Sequence, residues 1–145
     1  MIVYAESSAV LAWLLGESTE PLVRAAMDSA DRVVTSSLTA LECARGLTRA
    51  KLAGRITGVQ ELATLRLLDD AQSSWDVHAL SDRVVTGARA TFPVEPVRTL
   101  DALHLATALV LQEAIGPLTL LSFDDRVRAN ATALGFTVLP ANIAS

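Results

Sequence analysis

Four carboxylates stand where apolar runs of the chain give way to polar ones: Glu6 in VYAE, Glu42 in TALE, Asp101 in RTLD and Asp124 in LSFD. Carboxylates brought together repel one another, and their pKa values rise unless a divalent cation sits among them. Oxygen donors and water suit Mg2+ or Mn2+ better than a softer metal. Such an ion activates water and stabilises charge on a phosphoryl oxygen, and a second ion can clamp the attacking and leaving oxygens of an in-line displacement. Phosphodiester hydrolysis is the reaction class this residue set predicts.

Each acid alone also has a structural reading. Thr39-Ala40-Leu41-Glu42 fits a capping box, Asp101 lies two residues after a Thr99 that fits a cap, and Asp124 and Asp125 follow Ser122, as helix N-termini favour. Glu6 is harder to explain this way. Within MIVYAESSAVLAWLL a carboxylate loses hydration unless a cation or hydrogen-bond donor meets it. His104, one turn beyond Asp101, reads as a packing residue of an apolar helix rather than a general base. Cys43, the only cysteine, excludes an internal disulfide and a thiolate zinc cluster, and reads as a buried side chain.

The elements that must position these acids follow from periodicity. Strands are expected at Ile2 to Ala5, Arg32 to Thr35, Trp75 to His78, Leu118 to Leu121 and Phe136 to Leu139. Helices are expected at Ser8 to Gly16, Glu20 to Ala30, Thr39 to Ala53, Val59 to Ala71, Ser81 to Thr91, Thr99 to Ala114 and Asp125 to Leu134, several closed by glycine. Strands alternating with helices through short connections predict an α/β fold, a parallel sheet with helices on both faces. Ligands of such sheets bind beyond the carboxyl ends of the strands, where the strand order reverses. The helix around Trp13, Leu14 and Leu15 is apolar all round and so needs apolar neighbours on two sides.

Length and composition bound the rest. A chain of 145 residues, 51% of them hydrophobic, suits one domain over residues 1–145. The longest apolar run, Ala9 to Leu15, is too short to span a bilayer. Met1 leads directly into Ile2, Val3 and Tyr4 without a secretory pattern, so a cytoplasmic, membrane-free protein is expected. The net charge of −4 argues against a broad basic surface for nucleic acid. A local basic stripe survives, because Cys43 to Gln60 carries Arg45, Arg49, Lys51 and Arg55 and no acid. No G-x-S-x-G elbow supports Ser7 or Ser8 as a nucleophile, and neither a P-loop nor a dinucleotide fingerprint is present.

The segments VYAESSAVLAWLL, SSLTALECARGL, RTLDALHLATAL and LSFDDRVRANATALGFTVL resemble, in order and spacing, the four acidic motifs of PIN-domain ribonucleases of the VapC toxin type. By that resemblance Glu6, Glu42, Asp101 and Asp124 match the catalytic, metal-binding carboxylates, Ser8 matches the hydroxyl supporting the first acid, and Asp125 is an additional candidate. The resemblance further implies a three-layer α/β/α sandwich on a five-stranded parallel sheet, and a Mg2+- or Mn2+-dependent endoribonuclease acting on tRNA, rRNA or mRNA. It also implies a homodimer and a VapB-type antitoxin that covers the acidic site. Arg45 and Arg49, three and seven residues after Glu42, share its helix face and read as contacts to RNA phosphates. The chain departs from the family in carrying Glu rather than Asp at position 6, which keeps the charge but lengthens the reach. A PIN-fold module that binds RNA or antitoxin with little cleavage is therefore the alternative. A receiver-like domain is disfavoured, since it needs a lysine near the last strand and the only lysine is Lys51.

Overall fold

Short runs of Val, Ile, Leu and Tyr alternate with longer helical patterns along the chain, and each resolves into the element its period dictates. The computed structural model describes residues 1–141. In chain order the elements are β1 (Ile2–Ala5), α1 (Ser7–Leu14), α2 (Glu20–Ser29), β2 (Arg32–Ser36), α3 (Ser37–Leu52), α4 (Gly58–Gln72), β3 (Asp76–His78), α5 (Asp82–Ala88), α6 (Thr99–Ile115), β4 (Leu118–Leu121), α7 (Asp125–Ala133) and β5 (Thr137–Leu139). The expected domain limits reach residues 142–145, which lie outside the described residues.

The strands pair in parallel in the order β3-β2-β1-β4-β5. Alternation along β1 sends its side chains to two cores. Tyr4 packs with Leu105, Leu120, Val127 and Phe136 on the side of α5, α6 and α7, while Val3 and Ala5 face α1, α2 and α3 through Ala9, Val23, Val10 and Cys43. This is the three-layer sandwich expected, with the interior strands β1 (IVYA) and β4 (LTLL) almost wholly apolar because both faces are covered. Trp13 is partly buried in both clusters on the α1 side and meets Trp75 at 6.4 Å between ring centroids. No helix among the described residues is long and apolar enough to cross a membrane.

Two helix caps differ from expectation, and both bear on an acid. Helix α3 begins two residues earlier than the Thr39 motif suggests, because Ser36 at the end of β2 caps it by accepting from the Leu38 N–H at 3.1 Å. Thr39 is fully buried and its hydroxyl pairs with Thr35 at 2.7 Å instead. Glu42 therefore lies in the second turn and belongs to no capping box. On α6, Thr99 is the first helical residue and Arg98 occupies the cap without a side-chain hydrogen bond, so Asp101 is a first-turn residue with no threonine cap before it.

The segment that leads into α6 is pinned from α7. Asn130 is fully buried; its Oδ1 accepts from the Val94 N–H at 2.9 Å, and its Nδ2 donates to the Val94 and Arg126 carbonyls, each at 2.9 Å. Replacing Asn130 with Leu removes all three of these hydrogen bonds at once. Since a hydrogen bond contributes about 0.5–1.5 kcal/mol net, Asn130→Leu is expected to lower unfolding free energy by about 2 kcal/mol or more in urea titrations. An unchanged midpoint would show that the segment is held by something else.

Candidate active site

The chain leaves β1 towards β2 and β3 on one side and returns to β4 on the other, so connections splay apart beyond the carboxyl ends of β1 and β4. The β1–β4 register pairs Ala5 with Leu121, and the Glu6 N–H donates to the Leu121 carbonyl at 3.0 Å. Glu6 and Ser122, the residues that follow, are thereby set side by side. A cleft of about 360 Å³ opens here, lined by Glu6, Ser7, Ser8, Glu42, Arg49, Arg98, Asp101 and Asp124 among others. The four acids expected from the sequence share this one cleft.

Each is held differently. Glu6 is only 4% exposed, and hydroxyls replace its lost water: Ser7 Oγ donates to Oε1 at 2.8 Å, Ser122 Oγ donates to Oε2 at 2.7 Å, and Ser8 also donates to Oε2. Ser8 in turn accepts from the Phe123 N–H at 2.9 Å, and Ser122 from the Asp124 N–H at 3.1 Å. Ser8 thus supports the first acid as expected. Asp124 is the N-cap of α7, its Oδ1 accepting from the N–H groups of Arg126 at 2.9 Å and Val127 at 3.0 Å, so the capping reading holds for this acid, with its second oxygen left over. Glu42 accepts at Oε1 from His104 Nε2, 2.5 Å away. Asp101 is less fully held: the Arg98 backbone hydrogen-bonds its carboxylate, but its Oδ2 is buried with no hydrogen-bond partner. Desolvation, followed by the charges of Asp124 and Glu6, raises the Asp101 pKa above the ordinary carboxylate value.

That orphaned oxygen tests the fit of a cation. A buried acceptor flanked by further carboxylates, which the Arg98 charge offsets only in part, favours a further positive partner. Among the described residues no three His, Cys, Asp or Glu side chains stand close enough to enclose an ion unaided. A hard divalent cation held by one or two of these carboxylates would take the rest of its oxygens from water.

The remaining candidates divide. Arg49 lines the cleft and Arg45, one helical turn earlier and exposed, does not. Asp125 is exposed in the first turn of α7 and is also absent from the lining. Arg98, which the sequence reading passed over, lines the cleft at the start of α6. Neither Arg49 nor Arg98 forms a salt bridge among the described residues. The roles of Ser7 and Ser122 were also missed; the Ser-Ser pair after Glu6 was a visible signal, whereas Ser122 becomes a neighbour only through the β1–β4 pairing. His104 is 1% exposed and satisfied at both ring nitrogens, in keeping with a packed histidine. Cys43 is buried, and desolvation, with the charges of Glu42 and Glu6, pushes its thiol up to about 12, which leaves it unreactive.

Comparison with known proteins places these motifs in one family. The family model for the PIN domain matches residues 3–133. Ribonuclease VapC46 of Mycobacterium tuberculosis is 33% identical over 137 residues, covering 94% of this chain and 95% of that protein. Ribonuclease VapC35 of the same species is 28% identical over 141 residues, covering 95% and 96%. Among solved structures, Mycobacterium tuberculosis VapC20, described as a sarcin-ricin loop cleaving toxin, superposes with a TM-score of 0.65 at 16% identity over 93% of this chain and 96% of that one. A toxin–antitoxin complex from Klebsiella pneumoniae gives a TM-score of 0.65 at 15% identity over 97% and 99%.

The raised pKa of Asp101 makes a stability prediction. Its ionised form is disfavoured in the folded state, so its contribution is present below the unfolded carboxylate pKa and is lost as pH rises through the raised folded value. In chelator at pH 7, Asp101→Asn is expected to melt higher than the parent protein, with the difference closing as pH falls towards about 4. Added Mn2+ should raise the melting temperature of the parent and not of the variant. A variant that melts lower in chelator, or responds equally to Mn2+, would contradict this account of the orphaned oxygen.

Proposed function

The chain belongs to the PIN-domain family, and from that premise we propose that it is an endoribonuclease toxin of a toxin–antitoxin pair. It hydrolyses RNA phosphodiester bonds in the cleft between β1 and β4, with Mg2+ or Mn2+ as cofactor. The observation that carries this reading is the convergence of Glu6, Glu42, Asp101 and Asp124 on one cleft in which a buried Asp101 oxygen lacks a partner. The ribonuclease names of two relatives that match almost end to end support the reaction class. Solved neighbours described as a toxin that cleaves the sarcin-ricin loop and as a toxin–antitoxin complex support an RNA substrate and a VapB-type antitoxin. The chain acts as a single domain, dimerises as its family does, and works in the cytoplasm where RNA is exposed. No observation favours a binding module without cleavage.

Asp101, Asp124 and Glu42 would hold the cation. When bound, the cation supplies Lewis acidity to a phosphoryl oxygen and lowers the pKa of water. The chain's own residues do the rest. Glu6, its oxygens occupied by Ser7, Ser8 and Ser122, fixes the negative floor of the cleft and ties the ends of β1 and β4 together. Arg49 and Arg98 on the lining take the phosphates flanking the scissile bond. Arg45, further along the face of α3, extends that track, and Asp125 supports α7 behind Asp124 through the helix dipole.

The decisive experiment incubates purified protein with total RNA and defined stem-loops, in Mg2+, Mn2+ or chelator, and maps cuts by sequencing. Cleavage is expected to need the metal and to fall by at least about 100-fold in Asp101→Asn and Asp124→Asn, as misplaced reacting groups do. Asn still caps a helix, so Asp124→Asn should keep α7 intact. Cleavage that persists in chelator, or in both variants, would overturn the proposal. In an Asp101→Asn background that binds without cutting, Arg49→Ala and Arg98→Ala should each weaken RNA binding across sequences and reduce the salt slope by about 1. Arg45→Ala should do less. An unaltered slope for both lining arginines would remove them from the RNA path.

A further inference from the structure

Glu42 is held from behind by side chains that do not reach the cleft. His104 sits on α6, three residues after Asp101, and is 1% exposed. Its Nε2 lies 2.5 Å from Glu42 Oε1 and 3.3 Å from Ser7 Oγ, and its Nδ1 lies 2.7 Å from the hydroxyl of the fully buried Tyr4. The two rings meet edge to face, 5.9 Å between centroids and 82° between planes. An ionised carboxylate only accepts, so Nε2 carries the proton towards Glu42; a neutral imidazole then presents Nδ1 as an acceptor, which the tyrosine O–H fills. Ser7 Oγ, close to the same Nε2–H, spends its own proton on Glu6 Oε1 at 2.8 Å. Donors and acceptors therefore alternate without a gap from Tyr4 to Glu42, with a branch to Glu6. Turning the imidazole would leave buried polar atoms unpaired, which low-dielectric surroundings penalise heavily.

We propose that His104, locked by Tyr4, is the positioning residue that aims Glu42 into the acidic cleft and fixes its spacing from Glu6. The proposal rests on the reading of the cleft as a cation-dependent ribonuclease site. The residues concerned come from β1, α1, α3 and α6, and the imidazole is the group that touches side chains from each of the other three. Its packed appearance and its role are one fact: a buried ring with both nitrogens committed holds a carboxylate on another helix at one angle. The second oxygen of Glu42 stays available for the cleft. Partners that orient metal-binding carboxylates in this way typically change metal affinity by about 10- to 100-fold when removed.

The test measures Mn2+ affinity by electron paramagnetic resonance titration without RNA, alongside thermal melting, for the parent protein, His104→Leu, His104→Gln and Tyr4→Phe. Gln can place an N–H near the position of Nε2 and so serves as the conservative variant. His104→Leu is expected to bind Mn2+ about 10- to 100-fold more weakly, His104→Gln to recover most of that loss, and Tyr4→Phe to fall between them and the parent. A folded His104→Leu with parental Mn2+ affinity would overturn the proposal, as would a His104→Gln no better than His104→Leu. Should His104→Leu fail to fold, Tyr4→Phe decides, and parental affinity there overturns the lock. A parent protein that binds no Mn2+ and cuts no RNA would sink the ribonuclease reading itself, an outcome distinct from variants that match a parent active in both assays.

Discussion

Mutual repulsion among carboxylates that face one cleft is the constraint on which the rest of this structure depends. Two unit charges about 4 Å apart repel by about 1 kcal/mol in water and by about 4 kcal/mol at an effective dielectric of about 20. A fold that gathers acids in a partly buried place must restrain each of them separately. The sheet order supplies the place: β1 lies in the interior with β2 and β3 to one side and β4 and β5 to the other. The backbone opens beyond the ends of β1 and β4, and the acids are carried there from four directions.

The restraints are chemically distinct, and the differences assign roles. Glu6 is the most deeply buried and accepts from three serine hydroxyls, so its charge is solvated by the protein. Asp124 commits one oxygen to the α7 N-terminus, where the helix dipole also favours negative charge. Glu42 leans on an imidazole. Only Asp101 keeps a buried oxygen without any donor, and this is the acid whose pKa is driven up by burial and by its neighbours. Structural demands alone would have given it a donor too. Leaving it bare concentrates the demand for a cation at one point of the cleft.

The fold was legible because periodicity and punctuation reach the reader through local sequence. VVT and LTLL read as strands, TLDALHLATALVLQEAI reads as a helix, and the sheet they form follows from their alternation. The acids were legible too, as charges interrupting apolar runs. What escaped the reading depends on contacts between distant segments. Ser122 meets Glu6 only because β4 lies beside β1, a pairing with more than a hundred residues between its strands. The Tyr4 hydroxyl finds His104 across the same layer, and nothing local separates that histidine from an ordinary core residue. The start of α3 was misplaced for a related reason: Ser36 and Thr39 are both competent caps, and the choice fell to Ser36 because Thr39 is drawn into the core by Thr35.

A protein of net charge −4 with an acidic cleft is a poor match for a polyanion if charge is summed over the whole surface. The local arrangement resolves the conflict. Arg49 and Arg98 stand on the lining without a salt bridge among the described residues, although acids lie in the same cleft and the Arg98 charge lowers the Asp101 pKa. Acids that are hydrogen-bonded to serine, imidazole or backbone N–H have less need of a guanidinium, which leaves the arginines free to meet phosphate. A broad basic surface would bind RNA strongly at every position, through counterion release that ignores sequence and shape. Were Arg49 and Arg98 to take phosphates as proposed, they would attract them most strongly where a cation also screens the carboxylates. Binding and cation loading would then be coupled at the same few residues, and the overall negative charge would limit association with RNA elsewhere on the surface.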